Sequence, residues 1–205
     1  MTNANPWLTG SGRPAKSAAE PPSRPFRRTG QEGANAPQPG VPVPDTADRL
    51  PRWTQAWPAS VYWLGVHGGA GESTLATLAA GSRPASHGWP IPDMQGSSHR
   101  VVLVARTNFM GLTAAQRAAT EWASGALGDG VQLGGLVLMA DAPGRRPKPL
   151  RDFEQVIGGG VPRVWTMPWV EAWRLGPVSP TSGVPREFVA LLTDLQLDFN
   201  THARN

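Results

Sequence analysis

Residues 61–76 read Val61-Tyr-Trp-Leu-Gly-Val-His-Gly-Gly-Ala-Gly-Glu-Ser-Thr-Leu-Ala76. The run 61–66 is a short apolar stretch closed by a turn signal, the pattern of a buried strand. Glycines at 68, 69 and 71 permit a tight turn. Residues 73–80 then read as a helix. Strand, glycine turn and helix together form the layout of a phosphate-binding loop, G-x-x-x-x-G-K-[ST]. Aligned on residues 66–73, Gly71 and Ser73 are in place, while Val66 stands for the first glycine and Glu72 for the lysine.

The glycines still allow a nest of backbone N–H groups facing an anion, with the positive end of the helix behind it. Ser73, beside Thr74, can hold a magnesium ion. The lysine-to-glutamate change removes an attraction and adds a repulsion. Two unit charges about 4 Å apart interact by roughly 1 kcal/mol in water and roughly 4 kcal/mol at an effective dielectric near 20. Phosphoryl transfer depends on positioned positive charge, so hydrolysis should suffer most. Several readings stay open. The loop is empty, or Glu72 folds back and fills the nest itself. Alternatively it binds ATP or another nucleotide, with magnesium, without efficient turnover. An active ATPase with a rearranged site is the remaining case.

The chain has 205 residues, enough for one domain and a tail. The absence of cysteine excludes disulfides, zinc–thiolate sites and cysteine nucleophiles, and fits a cytoplasmic protein. No apolar run approaches a membrane span, and the N-terminus lacks a signal-peptide core. The formal charge of +4 permits contact with nucleic acid without demanding it. His67, His87, His99 and His202 show no metal spacing, and no Ser-His-Asp or carboxylate pair stands out.

Residues 1–55 are rich in Pro, Gly, Ser and Ala and read as a disordered tail with a basic cluster at Arg24, Arg27 and Arg28. Trp53 and Trp57 are expected to pack on the domain edge. The folded domain is placed at 56–205. Strands are expected at 61–66, 101–105, 134–140 and 163–167. Helices are expected at 73–80, from a Thr113–Gln116 capping box to 124, at 150–157, and from Pro185 onward. Residues 82–99, with Pro84, Gly88, Pro90, Pro92 and Gly96 in quick succession, read as loop. Apolar strands alternating with helices predict an abbreviated three-layer α/β fold with a mostly parallel sheet. Ligands of such sheets bind at the carboxyl ends of the strands. The loop at 67–73, Arg106-Thr107 and Asp141 would all lie at that edge. The basic run Arg145, Arg146, Lys148 and Arg151 can add charge there or meet DNA phosphates. Trp169 and Trp173, four apart, would share a helical face fit to anchor a protein partner.

Residues 67–74 read His-Gly-Gly-Ala-Gly-Glu-Ser-Thr. This resembles the K-G-G-x-G-K-[ST]-T loop of the ParA/MinD-type partition and positioning ATPases, with His67 and Glu72 in place of both lysines. The resemblance continues in 135–141 and 161–168, which look like that family's late strand–helix–strand segment. It implies a P-loop fold, ATP with magnesium as the ligand class, and a homodimer or protein partner. The residues it implies for phosphate or nucleotide are His67, Gly68, Gly69, Ala70, Gly71, Glu72, Ser73 and Thr74, with Ser73 toward magnesium. Asp141 loosely matches a position that helps hold the base. Arg106 and Arg145 are added from their place at the edge. The family's magnesium-organising aspartates have no counterpart, since 101–105 ends in Arg106-Thr107. Residues 68–74, 141–145, 161–165 and 168–174 also resemble uncharacterised actinobacterial proteins encoded near plasmid and conjugative-element genes. The expectation is a degenerate, non-catalytic or weakly nucleotide-binding accessory protein in plasmid partition or conjugative transfer, acting through protein partners. A DNA-contacting accessory protein is the alternative.

Overall fold

A computed structural model describes residues 33–179 and 183–200. The basic cluster at 24–28 and His202 lie outside the described residues. Seven strands and five α-helices follow in chain order: β1 (Arg52–Gln55), β2 (Val61–Gly65), α1 (Glu72–Leu78), β3 (Ser82–Pro84), β4 (Trp89–Pro92), β5 (His99–Arg106), α2 (Phe109–Ala123), β6 (Val131–Met139), α3 (Lys148–Gly159), β7 (Val164–Met167), α4 (Ala172–Leu175) and α5 (Arg186–Leu195).

β3-β2-β5-β6-β7 form one sheet, parallel throughout. All of β2 is buried, as is most of β5, the mark of a parallel sheet covered on both faces. Tyr62, Leu64, Val101, Leu103 and Leu136 face α2 and α3. Val61, Trp63, Val102, Val104 and Val137 face α1 and α5. The expected three-layer α/β architecture is therefore present. Its core divides into two halves, one on each side of the sheet.

The chain leaves β2 through α1 to β3 on one side, then returns to β5 on the other. The connections after β2 and β5 consequently run to opposite faces of the sheet. Their carboxyl ends form a topological switch point, the crevice where ligands of open α/β sheets bind.

Three expectations need correction. The segment 33–55 is not a free tail. Gly33 and Ala34 donate to Pro162 and Gly159, Gln38 donates to Ala123, and β1 pairs in parallel with β4. This strap is held by backbone bonds to the domain, by the Glu121 carboxylate and by Ala34, Val41 and Leu50 packing on the core. The stretch 82–99 is not plain loop either. It contains β3 at the edge of the main sheet and β4 in the small sheet, where prolines remove few ladder bonds. α2 opens at Asn108 rather than Thr113. The Asn108 side chain accepts from Gly111 N at 2.8 Å, and an N-cap three residues ahead of an amide satisfies it. Thr113 lies inside the helix, its hydroxyl donating to Phe109 O.

Smaller shifts have equally local causes. β6 begins at Val131 because a register irregularity at Gly134-Gly135 lets the strand continue across the glycines. In α5, Phe188, Leu191, Leu192 and Leu195 are all buried. Trp53 and Trp57 stay 46% and 64% exposed, although the Trp53 indole donates to Ser86 O. Among the described residues, no helix is long and apolar enough to cross a membrane.

Candidate phosphate site at the switch point

The loop after β2 turns on two glycines with positive φ, Gly69 at 74° and Gly71 at 111°. A side chain would strain either position. Ala70 N donates to His67 O at 3.2 Å, closing a turn. The amides of Gly68, Gly69, Gly71 and Ser73 have no acceptor among the described residues. A methyl group at Gly68 or Gly69 would meet nothing within 4 Å, so that side of the loop is open.

Glu72 points the other way. It is 6% exposed, and its Oε2 accepts from Gly65 N at 2.7 Å and from His87 N at 3.4 Å. Oε1 lies 3.7 Å from His87 Nε2. His87 Nδ1 donates to Gly65 O at 2.8 Å. β3 ends at Pro84, so the last residue of β2 lacks a ladder partner on that side. Glu72 and His87 satisfy it instead. Ser86 and His87 both hold left-handed φ, 56° and 57°, to bring the imidazole there. Glu72 thus folds back, but onto the strand end and not into the nest.

His67 braces the loop from beside it. Its Nε2 accepts from Arg106 N at 3.0 Å, which requires the proton on Nδ1, 2.9 Å from Gly68 O. Arg106, leaving β5 at the switch point, reaches across both neighbours. Its Nε donates to Gly69 O and its Nη1 to Ala140 O, each at 3.0 Å. The guanidinium is half-buried, and among the described residues no carboxylate stands within ion-pair distance. Burial pulls its pKa down; nearby Asp141 opposes that shift and Arg174 adds to it. A family of unknown function (DUF6668) matches residues 59–188, a span that includes the loop, Arg106 and Asp141.

The chain belongs to the DUF6668 family. No curated protein and no solved structure matches it. The DUF6668 match begins just before β2, so the strap at 33–55 lies outside it.

The other expected site residues of this DUF6668 member are distributed unevenly. Asp141 accepts from Asn108 Nδ2 at 3.0 Å, and its backbone N–H donates to Thr107 Oγ1 at 3.1 Å, so it ties β5 to β6. Thr107 is buried at that joint. Arg146 pairs with Glu154 and Lys148 with Asp152. Arg145 is exposed and in no ion pair among the described residues. Trp169 precedes α4, so it shares no helical face with Trp173; its indole donates to Glu171 and Arg174 lies 5.2 Å over its ring. Trp173 is partly buried edge-on against Phe188 and belongs to the packing beneath α5.

Magnesium finds no fitting set of donors. Ser73 is exposed, Glu72 is committed to Gly65 and His87, and the residue leaving β5 is cationic. Among the described residues, no cluster of three or more His, Asp or Glu can hold a metal ion. An open groove of about 450 Å³ runs along α1 past Pro58, Thr77 and Arg83. It shares only Ser73 with the loop.

Three residues of structural weight were not singled out from sequence. Asn108 carried a readable signal, a capping side chain ahead of a helical run. His87 and Glu121 carried none, because their partners are far away in the chain.

Proposed function

We propose that this chain is a phosphate-loop protein that binds a small phosphoanion, such as the phosphates of a nucleotide, and does not turn it over. The observation that carries this reading is Arg106, a half-buried guanidinium with no carboxylate in ion-pair distance among the described residues, bonded to the loop carbonyl of Gly69. A cation kept partly out of water and unpaired gains most from an incoming anion. Open amides at Gly68, Gly69, Gly71 and Ser73 supply further donors. Glu72, facing inward, does not place its charge among them.

Turnover is a different matter. Phosphoryl transfer uses a cluster of positive charge and a positioned nucleophile. Arg106 is one such charge, and the loop lysine is absent. On the strength of the family resemblances and the absence of cysteine, the setting is cytoplasmic, in plasmid partition or conjugative transfer, with a protein partner responding to the occupied loop.

Equilibrium binding of labelled ATP, ADP and inorganic phosphate to the full chain tests the reading. Binding without ATP hydrolysis is expected. Arg106→Ala, checked for an unchanged circular-dichroism spectrum, should weaken it at least tenfold. That corresponds to about 1.4 kcal/mol, within the range of a charge-assisted hydrogen bond. No binding of any of the three at millimolar concentration would overturn the reading. Turnover abolished by Ser73→Ala would replace it with an active ATPase.

A further inference from the structure

We propose that the Arg106 guanidinium stands in for the metal, so that the loop takes phosphoanions free of magnesium and magnesium opposes binding. This rests on the phosphate reading above and adds to it the ionic form of the ligand. In a magnesium-dependent phosphate loop, the hydroxyl after the lysine position and a carboxylate at a neighbouring strand end share the ion. Here β2 lies between β3 and β5, and the last residue of β5 is Arg106. A fixed cation therefore occupies the strand end where a metal-organising carboxylate would be needed.

The surrounding charges point the same way. Arg174 acts on Arg106 as a second cation. Asp141 is the acidic group nearby, and one of its oxygens accepts from Asn108. Glu72 is buried with its carboxylate on Gly65 and His87. A magnesium ion carried in on a phosphate tail would meet a fixed cation at the end of β5, with Asp141, one oxygen of which Asn108 already holds, as the nearby acid. Chelation also cancels two of the negative charges of ATP, leaving less for Arg106 to attract.

Calorimetric titration of the full chain with ATP, in EDTA and in excess magnesium at matched ionic strength, distinguishes the possibilities. Matching matters because screening alone weakens exposed charge contacts. The expected result is at least fivefold weaker binding with magnesium, with that difference lost in Arg106→Ala. Equal or tighter binding with magnesium would overturn the proposal while leaving the phosphate reading intact. A magnesium penalty that persists in Arg106→Ala would overturn the role given to this residue, since it would come from general charge. Absence of binding in both conditions would overturn the phosphate reading itself.

Discussion

Glu121→Ala should lower the stability of the fold by about 3–4 kcal/mol, the largest single-residue loss expected outside the apolar core. The side chain is fully buried on α2. Its Oε2 accepts from Leu50 N at 3.1 Å and from the Trp89 indole at 2.9 Å, and its Oε1 accepts from Arg52 at 3.2 Å. One carboxylate thus joins the strap, β1 and β4 to the main domain. Truncation leaves the Trp89 donor unpaired beneath the surface, at a cost of about 1–3 kcal/mol. Arg52, 42% exposed, regains water and contributes less. At about 2–4 °C per kcal/mol for a domain of this size, the melting temperature should fall by about 6–16 °C. Limited trypsin digestion should also cut sooner at Arg49 and Arg52. Glu121→Gln keeps one oxygen for Leu50 and Trp89, so its loss should be less than half as large. A Glu121→Ala protein that melts with the wild type would show that the strap is held by other means.

Glu72→Lys should be the second most damaging change, and it should not create a working ATPase. Read as a sequence, Glu72 is a reversed charge in a phosphate loop, and restoring lysine looks like a repair. In the fold the carboxylate is the acceptor for Gly65 N, and it faces His87. Lysine has no acceptor to offer. The substitution leaves a buried N–H unsatisfied and sets a cationic group beside the imidazole. A loss of about 2–3 kcal/mol is expected, visible as a drop of about 4–12 °C in melting temperature. Glu72→Gln retains an acceptor oxygen and should lose about 1 kcal/mol. Wild-type stability together with gained ATP hydrolysis in Glu72→Lys would show that charge reversal alone disabled the loop.

These two glutamates mark the limit of what could be read in advance. The sheet was legible because its strands are apolar on both faces and its turns are rich in glycine. The loop at 67–71 and its place at the carboxyl edge followed from the same pattern. The partners of Glu72 and Glu121 were not legible, because both are set by tertiary contact. His87 is fifteen residues from Glu72, and Leu50 is seventy-one from Glu121. The strap was misread for a related reason. A segment with few large aliphatics looks unable to order itself, yet residues 33–55 are held by backbone donors, a two-strand pairing, one buried carboxylate and the packing of Ala34, Val41 and Leu50 on the core. Trp169 and Trp173 were expected to share a helical face, but α4 includes only Trp173, which packs on Phe188, and four-residue spacing implies a shared face only where the helix includes both residues. Arg106 was noticed for its position, but its carbonyl partners and lack of a carboxylate are visible only in three dimensions.

Backbone amide NMR of the full chain, titrated with magnesium-free ATP, tests directly whether the loop is a phosphate site. The amides of Gly68, Gly69, Gly71 and Ser73 should shift together and saturate with one affinity, and Arg106→Ala should weaken that response at least tenfold. Unmoved loop amides, with shifts gathered instead on the basic run at 145–151, would contradict it.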